Sequence, residues 1–450
     1  MSPHAARKHR VRRSVAAGLP IAVLAAIAVA GTATGAQTGG KEKTSRITST
    51  ATLGEIPLGK FSNSLMPGTV SDDRGVKLGG IGSDIYPAGR KGEFWTVTDR
   101  GPNGQIKVDG KKRRTFPVPG FDPAIVKIRV SGDTVKVIDA LPLTTSSGKP
   151  VTGLPNQEGR DEAPYTYDAK TALSHDPNGL DTEGIVRAHD GSFWLVDEYG
   201  PSLVHVSAHG KVLKRYVPEG LKLSGADYPV AEALPGILLH RKGNRGFEGL
   251  AQLPGGDLVM AVQSPLSLPD EDAGDASRTT RLLRFSPKKQ AVTAEYAYRF
   301  DAVGVVDPGE DDTSELKISS VVAVGRDRLM VEERTDKAAR LHTVKLDRKS
   351  DILGKRWDDD ATKPSLEQLA DPADSGVPVL KKRLLVDLGG IDGVPDKIEG
   401  VARVNDHTLA LINDNDFGMT DGAEAFDKEG RLVDSDVETT VTYVRLPKGI

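Results

Sequence analysis

The sequence predicts an all-β fold, a β-propeller of six blades with seven as the alternative. Three observations carry this. A strand–turn–strand segment recurs five times, helical periodicity is scarce, and Pro and Gly interrupt the chain every few residues. Frequent breakers suit short strands and tight turns. A repeated hairpin unit implies a radial array whose innermost strands line a common channel.

The clearest copy begins at Glu183-Gly184-Ile185, turns at Asp190-Gly191, runs through Phe193-Trp194-Leu195-Val196 and stops at Asp197-Glu198. A second runs from Glu248-Gly249-Leu250 through Leu258 to Val262 and ends at Gln263. A third runs from Glu399-Gly400-Val401 through Leu409 to Ile412 and ends at Asn413-Asp414. Weaker copies start at Ser83-Asp84-Ile85, ending at Asp99-Arg100, and at Ser319-Ser320-Val321, ending at Glu332-Glu333-Arg334. The first and last polar residues of each copy lie at opposite ends of an antiparallel hairpin, so they are expected side by side at one mouth. The glycines of the Glu-Gly pairs are read as points of close strand approach. Copy starts are separated by 100, 65, 71 and 80 residues, and the first gap leaves room for two blades, hence six. Further strands are expected at Ala124–Val130, Thr134–Ile138, Leu203–Val206, Arg281–Phe285, Leu341–Leu346 and Val441–Leu446. The last of these is expected to close the ring against a strand near Glu55–Leu58.

Residues 1–36 read as an export signal. Arg7, Lys8, Arg10, Arg12 and Arg13 precede a small apolar stretch from Ser14 to Ala30, with Thr34-Gly35-Ala36 as a cleavage site. Secretion by the Sec or the twin-arginine route follows, with no stable membrane span after signal removal. Residues 37–51, rich in Gly, Thr, Ser and Lys, read as a flexible tether, and residues 52–450 as one domain acting as a monomer. The chain has no Cys, which excludes disulfides and thiolate metal sites, and its formal net charge of −3 argues against nucleic acid as a partner.

The recurring columns bring acids together. Glu183, Glu248 and Glu399 are candidate catalytic carboxylates, with Arg245 beside them to hold an anionic group. Arg100, Arg334 and Glu198 are candidate substrate contacts. Asp99, Asp197, Asp414 and Asp416 are candidate ligands for a hard cation, and oxygen donors without Cys point to Ca²⁺. The bland alternative is that these acids cap strand ends and pair with the arginines. Lys111-Lys112-Arg113-Arg114 after Asp109-Gly110 reads as a basic hairpin tip, solvated or touching an anionic substrate. No G-x-S-x-G, HExxH or P-loop occurs.

Several stretches resemble the bacterial phytase-like family, the "esterase-like activity of phytase" domain. They are Asp181 to Ile185, Phe193 to Pro201, Asn244 to Leu250 and Asn413 to Gly418. The resemblance implies an exported β-propeller that hydrolyses phosphate or carboxylic esters of a small substrate. It transfers no catalytic residue set. The competing expectation is a propeller that binds an extracellular ligand or protein without catalysis. Acids fully paired with arginines, and no bound metal, would favour that reading.

Overall fold

The structure, a computed structural model, describes residues 44–66 and 70–450. The signal segment and the start of the tether lie outside the described residues. Within them the chain forms five antiparallel units of four strands. Blade 1 comprises Ile85–Pro87, Glu93–Val97, Ala124–Ser131 and Thr134–Pro142. Blade 2 comprises Thr182–Arg187, Phe193–Asp197, Ser202–Val206 and Val212–Pro218, with Val230–Leu234 added in parallel at its outer edge. Blade 3 comprises Phe247–Gln252, Leu258–Val262, Thr279–Ser286 and Ala291–Arg299. Blade 4 comprises Val321–Gly325, Arg328–Arg334, Ala339–Lys345 and Lys382–Asp387. Blade 5 comprises Ile398–Asn405, Thr408–Asn413 and Thr440–Arg445, and its outer strand is Arg46–Leu53 from the other end of the chain.

The first strand of each blade touches the first strand of the next, and that of blade 5 touches that of blade 1. The ring is therefore a propeller of five blades, not six or seven. The long first gap holds no second blade. A hairpin of Gly104–Val108 and Lys111–Thr115, joined in parallel by Pro164–Tyr165, makes a small separate sheet there, and loops fill the rest.

Ring closure also differs in its segment. Thr440–Arg445 pairs with Arg46–Leu53, from Arg46 opposite Arg445 to Thr52 opposite Thr440, rather than with Glu55–Leu58. The expected tether is thus a strand from Arg46 onward. Thr and Ser suit a flexible tether by composition, but Ile47, Thr48, Thr50 and Thr52 are β-branched residues that suit a pleated edge. The same strand bridges to Thr134–Pro142 over two residues, fusing blades 5 and 1 into one sheet.

Each blade is covered on both faces, so its second strand is buried rather than alternating, throughout in blades 1 to 3 and beyond the first residue in blades 4 and 5. Alternate residues feed alternate interfaces. Phe94 joins the apolar layer between blades 5 and 1, and Trp95 the layer between blades 1 and 2. Phe193 faces back to blade 1 and Trp194 forward to blade 3. Two further layers separate blades 3 and 4, and 4 and 5.

The second residue of each repeat sets the spacing of the ring. A Cβ on Gly184 would lie 2.7 Å from Glu248 O and 2.9 Å from Leu250 N of blade 3. On Gly249 it would lie 2.6 Å from Val321 Cγ2 of blade 4, and on Gly400 2.8 Å from Ile85 N of blade 1. The two copies without Gly use a side chain at this point instead. Ile185 N of blade 2 donates to Asp84 Oδ2 at 2.9 Å, and Val401 N of blade 5 donates to Ser320 Oγ at 3.1 Å. Gly184→Ala is therefore expected to destabilise the protein by about 1–3 kcal/mol, because backbone must move to admit the methyl group. Urea unfolding with an unchanged midpoint would refute this.

Candidate functional site

The hairpin register delivers the polar columns to one end of the ring. Thr182 lies opposite Asp197, Phe247 opposite Val262, and Ile398 opposite Asn413. The next residue along from each pair member is a mouth residue: Glu183 and Glu198, Glu248 and Gln263, Glu399 and Asp414. These six residues, with Asp99 and Arg334 from the weaker copies, line a cavity of about 190 Å³. Arg100, Arg245, Lys317 and Lys397 complete its charged wall.

Some of these charges neutralise one another. Arg100 forms an ion pair with Asp181 Oδ2 at 2.6 Å and donates to Glu198 Oε2 at 2.8 Å. Arg334 pairs with Glu399 and bonds Ser319 Oγ at 2.7 Å. Lys397 holds Asp414 at 2.8 Å and also Asp416. Gln263 Nε2 bridges two acids, at 2.7 Å from Glu248 Oε1 and 3.3 Å from Glu198 Oε1.

Other groups are left over. Among the described residues Glu183 accepts no hydrogen bond and meets no cation within 4 Å. The buried Glu248 Oε2 has no partner. Among the described residues Arg245 donates to Ser264 Oγ at 3.1 Å and to the Ser314 carbonyl at 3.5 Å, and makes no ion pair within 4 Å.

The crowding shows in the acidities. Burial, then the charges of Glu248, Asp181, Glu198 and Glu399, push Glu183 well above the usual carboxylate range. Burial, then Glu198 and Glu399, do the same to Glu248, with Arg334 and Gln263 opposing. Glu198 rises to about 7 through burial and Asp181, against the pull of Arg100. Asp99 rises through burial, Asp414 and Asp181.

Asp181, Glu183 and Glu198 each place a carboxylate oxygen within 4.8 Å of the other two. Their donors are all hard oxygens and buried, so the trio could hold a cation such as Ca²⁺, in competition with Arg100, which pairs with Asp181 and Glu198. Of the four expected ligands, Asp99 lines the mouth and caps Gly101 N at 2.8 Å. Asp414 and Asp416 reach the mouth but are held by Lys397. Asp197 does not line it. Its carboxylate turns into blade 2, where Arg215 at 2.6 Å, Ser202 Oγ at 2.6 Å and Asp181 N at 2.8 Å occupy it. Asp181, Lys317 and Lys397 were not singled out from sequence. Asp181 could have been, since it stands two residues before Glu183 in the repeat.

The family model described as "Phytase-like: Esterase-like activity of phytase" matches residues 76–417. A curated relative, described as "Uncharacterized secreted protein" of Arthroderma benhamiae, is 28% identical over 299 residues. The match covers 57% of this chain and 58% of that relative, so this chain spans less than two thirds of the relative's length. That relative is fungal, whereas the resemblance read from sequence was to a bacterial family. Three solved structures are similar. Regucalcin from Agrobacterium tumefaciens, titled a calcium-binding protein, is 11% identical, covers 84% of this chain and 93% of its own, and has a TM-score of 0.34. A luciferin-regenerating enzyme is 11% identical, covers 80% and 76%, and scores 0.32. The PQQ-bound aldose sugar dehydrogenase of Streptomyces coelicolor is 13% identical, covers 78% and 98%, and scores 0.29. Values this low carry no argument about chemistry. Among the described residues no helix is long and apolar enough to cross a membrane.

Proposed function

This chain belongs to the phytase-like family, and from that premise we propose that it is a secreted hydrolase of phosphate or carboxylic esters, working at the carboxylate-lined mouth of the ring. One observation carries the reading. Two buried carboxyls that make no ion pair among the described residues, Glu183 and Glu248, share a cavity with Arg245, whose guanidinium bonds only neutral groups there. The relative's description as secreted supports export.

The roles follow from the surroundings. Carboxyls this crowded do not both ionise, so one keeps its proton and the pair offers an acid beside a base. Glu183, free of hydrogen bonds, takes a proton from the attacking water. The water oxygen bonds to the carbonyl carbon or phosphorus, and the bond to the leaving oxygen breaks. Glu248, oriented through Oε1 by Gln263, gives its proton from Oε2 to that leaving oxygen. Arg245 stabilises the negative charge that grows on the remaining oxygens. Asp181, Glu183 and Glu198 would hold a calcium ion, which supplies further charge stabilisation when bound.

The test is hydrolysis of an aryl phosphate and an aryl carboxylic ester, with calcium and with chelator, alongside thermal melts. At least one substrate is expected to turn over. The pH dependence of the melts has a definite sign. The Glu198 carboxyl, at about 7 in the fold against an ordinary 4.5, is easier to protonate folded than unfolded. Stability without a cation is therefore present below about 4.5 and lost as pH rises to about 7. Calcium should raise the Tm more at pH 8 than at pH 5, because it binds the ionised acids. The pairing of Glu399, Asp414 and Asp416 with Arg334 and Lys397 favours the non-catalytic binding alternative. No turnover together with unchanged melts would establish that alternative.

A further inference from the structure

The hairpin of Gly104–Val108 and Lys111–Thr115 projects from the rim of the mouth. Its turn, Asp109-Gly110, has φ of 51° and 79°, as a two-residue turn of the type I′ class requires. Gln105 pairs with Arg114 and Lys107 with Lys112, and this alternation puts Arg114, Lys112 and Lys107 on one face. Arg114 already lines the mouth, held by Glu162 at 3.0 Å and Asn103 Oδ1 at 3.0 Å. The opposite face is anchored. Arg113 stacks 4.7 Å above the Tyr165 ring and donates to the Ala169 carbonyl at 2.6 Å.

Lys107 and Lys112 therefore continue outward the basic face that begins in the mouth. Both are exposed, and among the described residues neither has an ion pair or a side-chain hydrogen bond. Like charges directly opposite one another destabilise a strand pair, and among the described residues no carboxylate pairs with either lysine to offset this. The chain as a whole is acidic, so the stripe is not general basicity. The face carries no aromatic ring on which bases could stack, and the tip is Asp-Gly rather than apolar, which argues against nucleic acid and against a membrane.

We propose that this face binds a linear acidic polysaccharide and leads it into the mouth. Successive side chains on one strand face are ~7 Å apart, so the Lys107–Lys112 pair and Arg114 form two steps of positive charge that carboxylates recurring along a chain can follow. The mouth would then act on ester groups carried by that polymer, a step that rests on the hydrolase reading. The binding itself does not.

The experiment is calorimetric titration of polygalacturonate into the full chain at low salt. The K107E/K112E variant is compared with K288E/K289E, an equal charge change on exposed lysines of blade 3. K107E/K112E is expected to weaken binding by about tenfold or more, with the difference shrinking as salt rises. The control variant should bind as the parent does, and all three proteins should turn over an uncharged aryl ester equally. Equal loss in both variants, or no binding by the parent, overturns the proposal. Tighter binding of DNA or polyphosphate than of polygalacturonate overturns the polymer class. Binding that depends on Lys107 and Lys112 without any ester turnover sustains the proposal while the hydrolase reading falls.

Discussion

Glu183→Gln is expected to cut ester hydrolysis by roughly 10²–10⁴-fold, the usual contribution of a positioned proton-transfer group, while the fold becomes no weaker. The two effects come from one fact. Glu183 sits among Asp181, Glu198, Glu248 and Glu399, and among the described residues it makes no ion pair. The amide has nearly the shape of the carboxylate but removes one repelling charge from the cluster. A residue whose only work is structural would lose stability on replacement. One kept for chemistry in an unfavourable setting gains or holds it. Steady-state turnover and thermal melts on the same preparation therefore separate the roles. Full activity, or a lowered Tm, would remove Glu183 from the mechanism. The substitution should also reduce the calcium-dependent rise in Tm, since it replaces a charged oxygen donor of the proposed trio with a neutral amide oxygen.

How far the site was legible follows from strand geometry. Reading the columns at either end of each hairpin was enough to assemble Glu183, Glu198, Glu248, Gln263, Glu399 and Asp414 at one mouth. Assigning roles to neighbours in the chain was not, because adjacent strand residues face opposite ways. Asp197 and Glu198 are consecutive, yet one carboxylate enters blade 2 and the other the mouth. Glu332 and Glu333 also face opposite ways, although Glu332 does not line the mouth. Glu333 accepts from Tyr298 Oη at 2.6 Å, toward blade 3. Both carboxyl oxygens of Glu332 are buried without a partner, and burial, with Glu399 and Asp84 nearby, pushes it up to about 8. The pairing partners were harder still. Lys397 reaches Asp414 because register places them together, and its only signal in the sequence is its place two residues before Glu399, where Asp181 stands before Glu183 and Lys317 before Ser319. The blade count failed for a different reason. A 100-residue gap looks the same whether it holds four strands or a rim hairpin and loops, and only the closing contact of blade 5 with blade 1 decides it.

Arg215→Met is expected to destabilise the fold by about 3–5 kcal/mol, the cost of leaving a buried charge without its partner. Arg215 and Asp197 are both fully buried and 2.6 Å apart. The guanidinium also bonds Ser202 Oγ at 2.7 Å, Asn156 Oδ1 at 2.9 Å, and the Gly179 carbonyl and Tyr228 Oη at 3.2 Å each. It thus ties the loop before blade 2 to that blade's fourth strand. Asp197 Oδ1 in turn accepts from Asp181 N at 2.8 Å, and the Asp181 carboxylate holds Arg100. The pair therefore stands behind one wall of the mouth, and activity should fall along with stability, unlike the divergence expected for Glu183→Gln. The pH dependence checks the cause. Burial already raises the Asp197 carboxyl and Arg215 opposes it, so methionine leaves it raised further. A carboxyl with a raised folded pKa loses stability as pH climbs past its unfolded value, so the deficit should be large at neutral pH and shrink in acid. Adding Asp197→Asn should recover part of the loss, because the uncompensated charge is gone while the hydrogen bonds from Ser202 and Asp181 remain possible. A deficit that is flat with pH and unaltered by the second substitution would point to lost packing in place of lost charge balance.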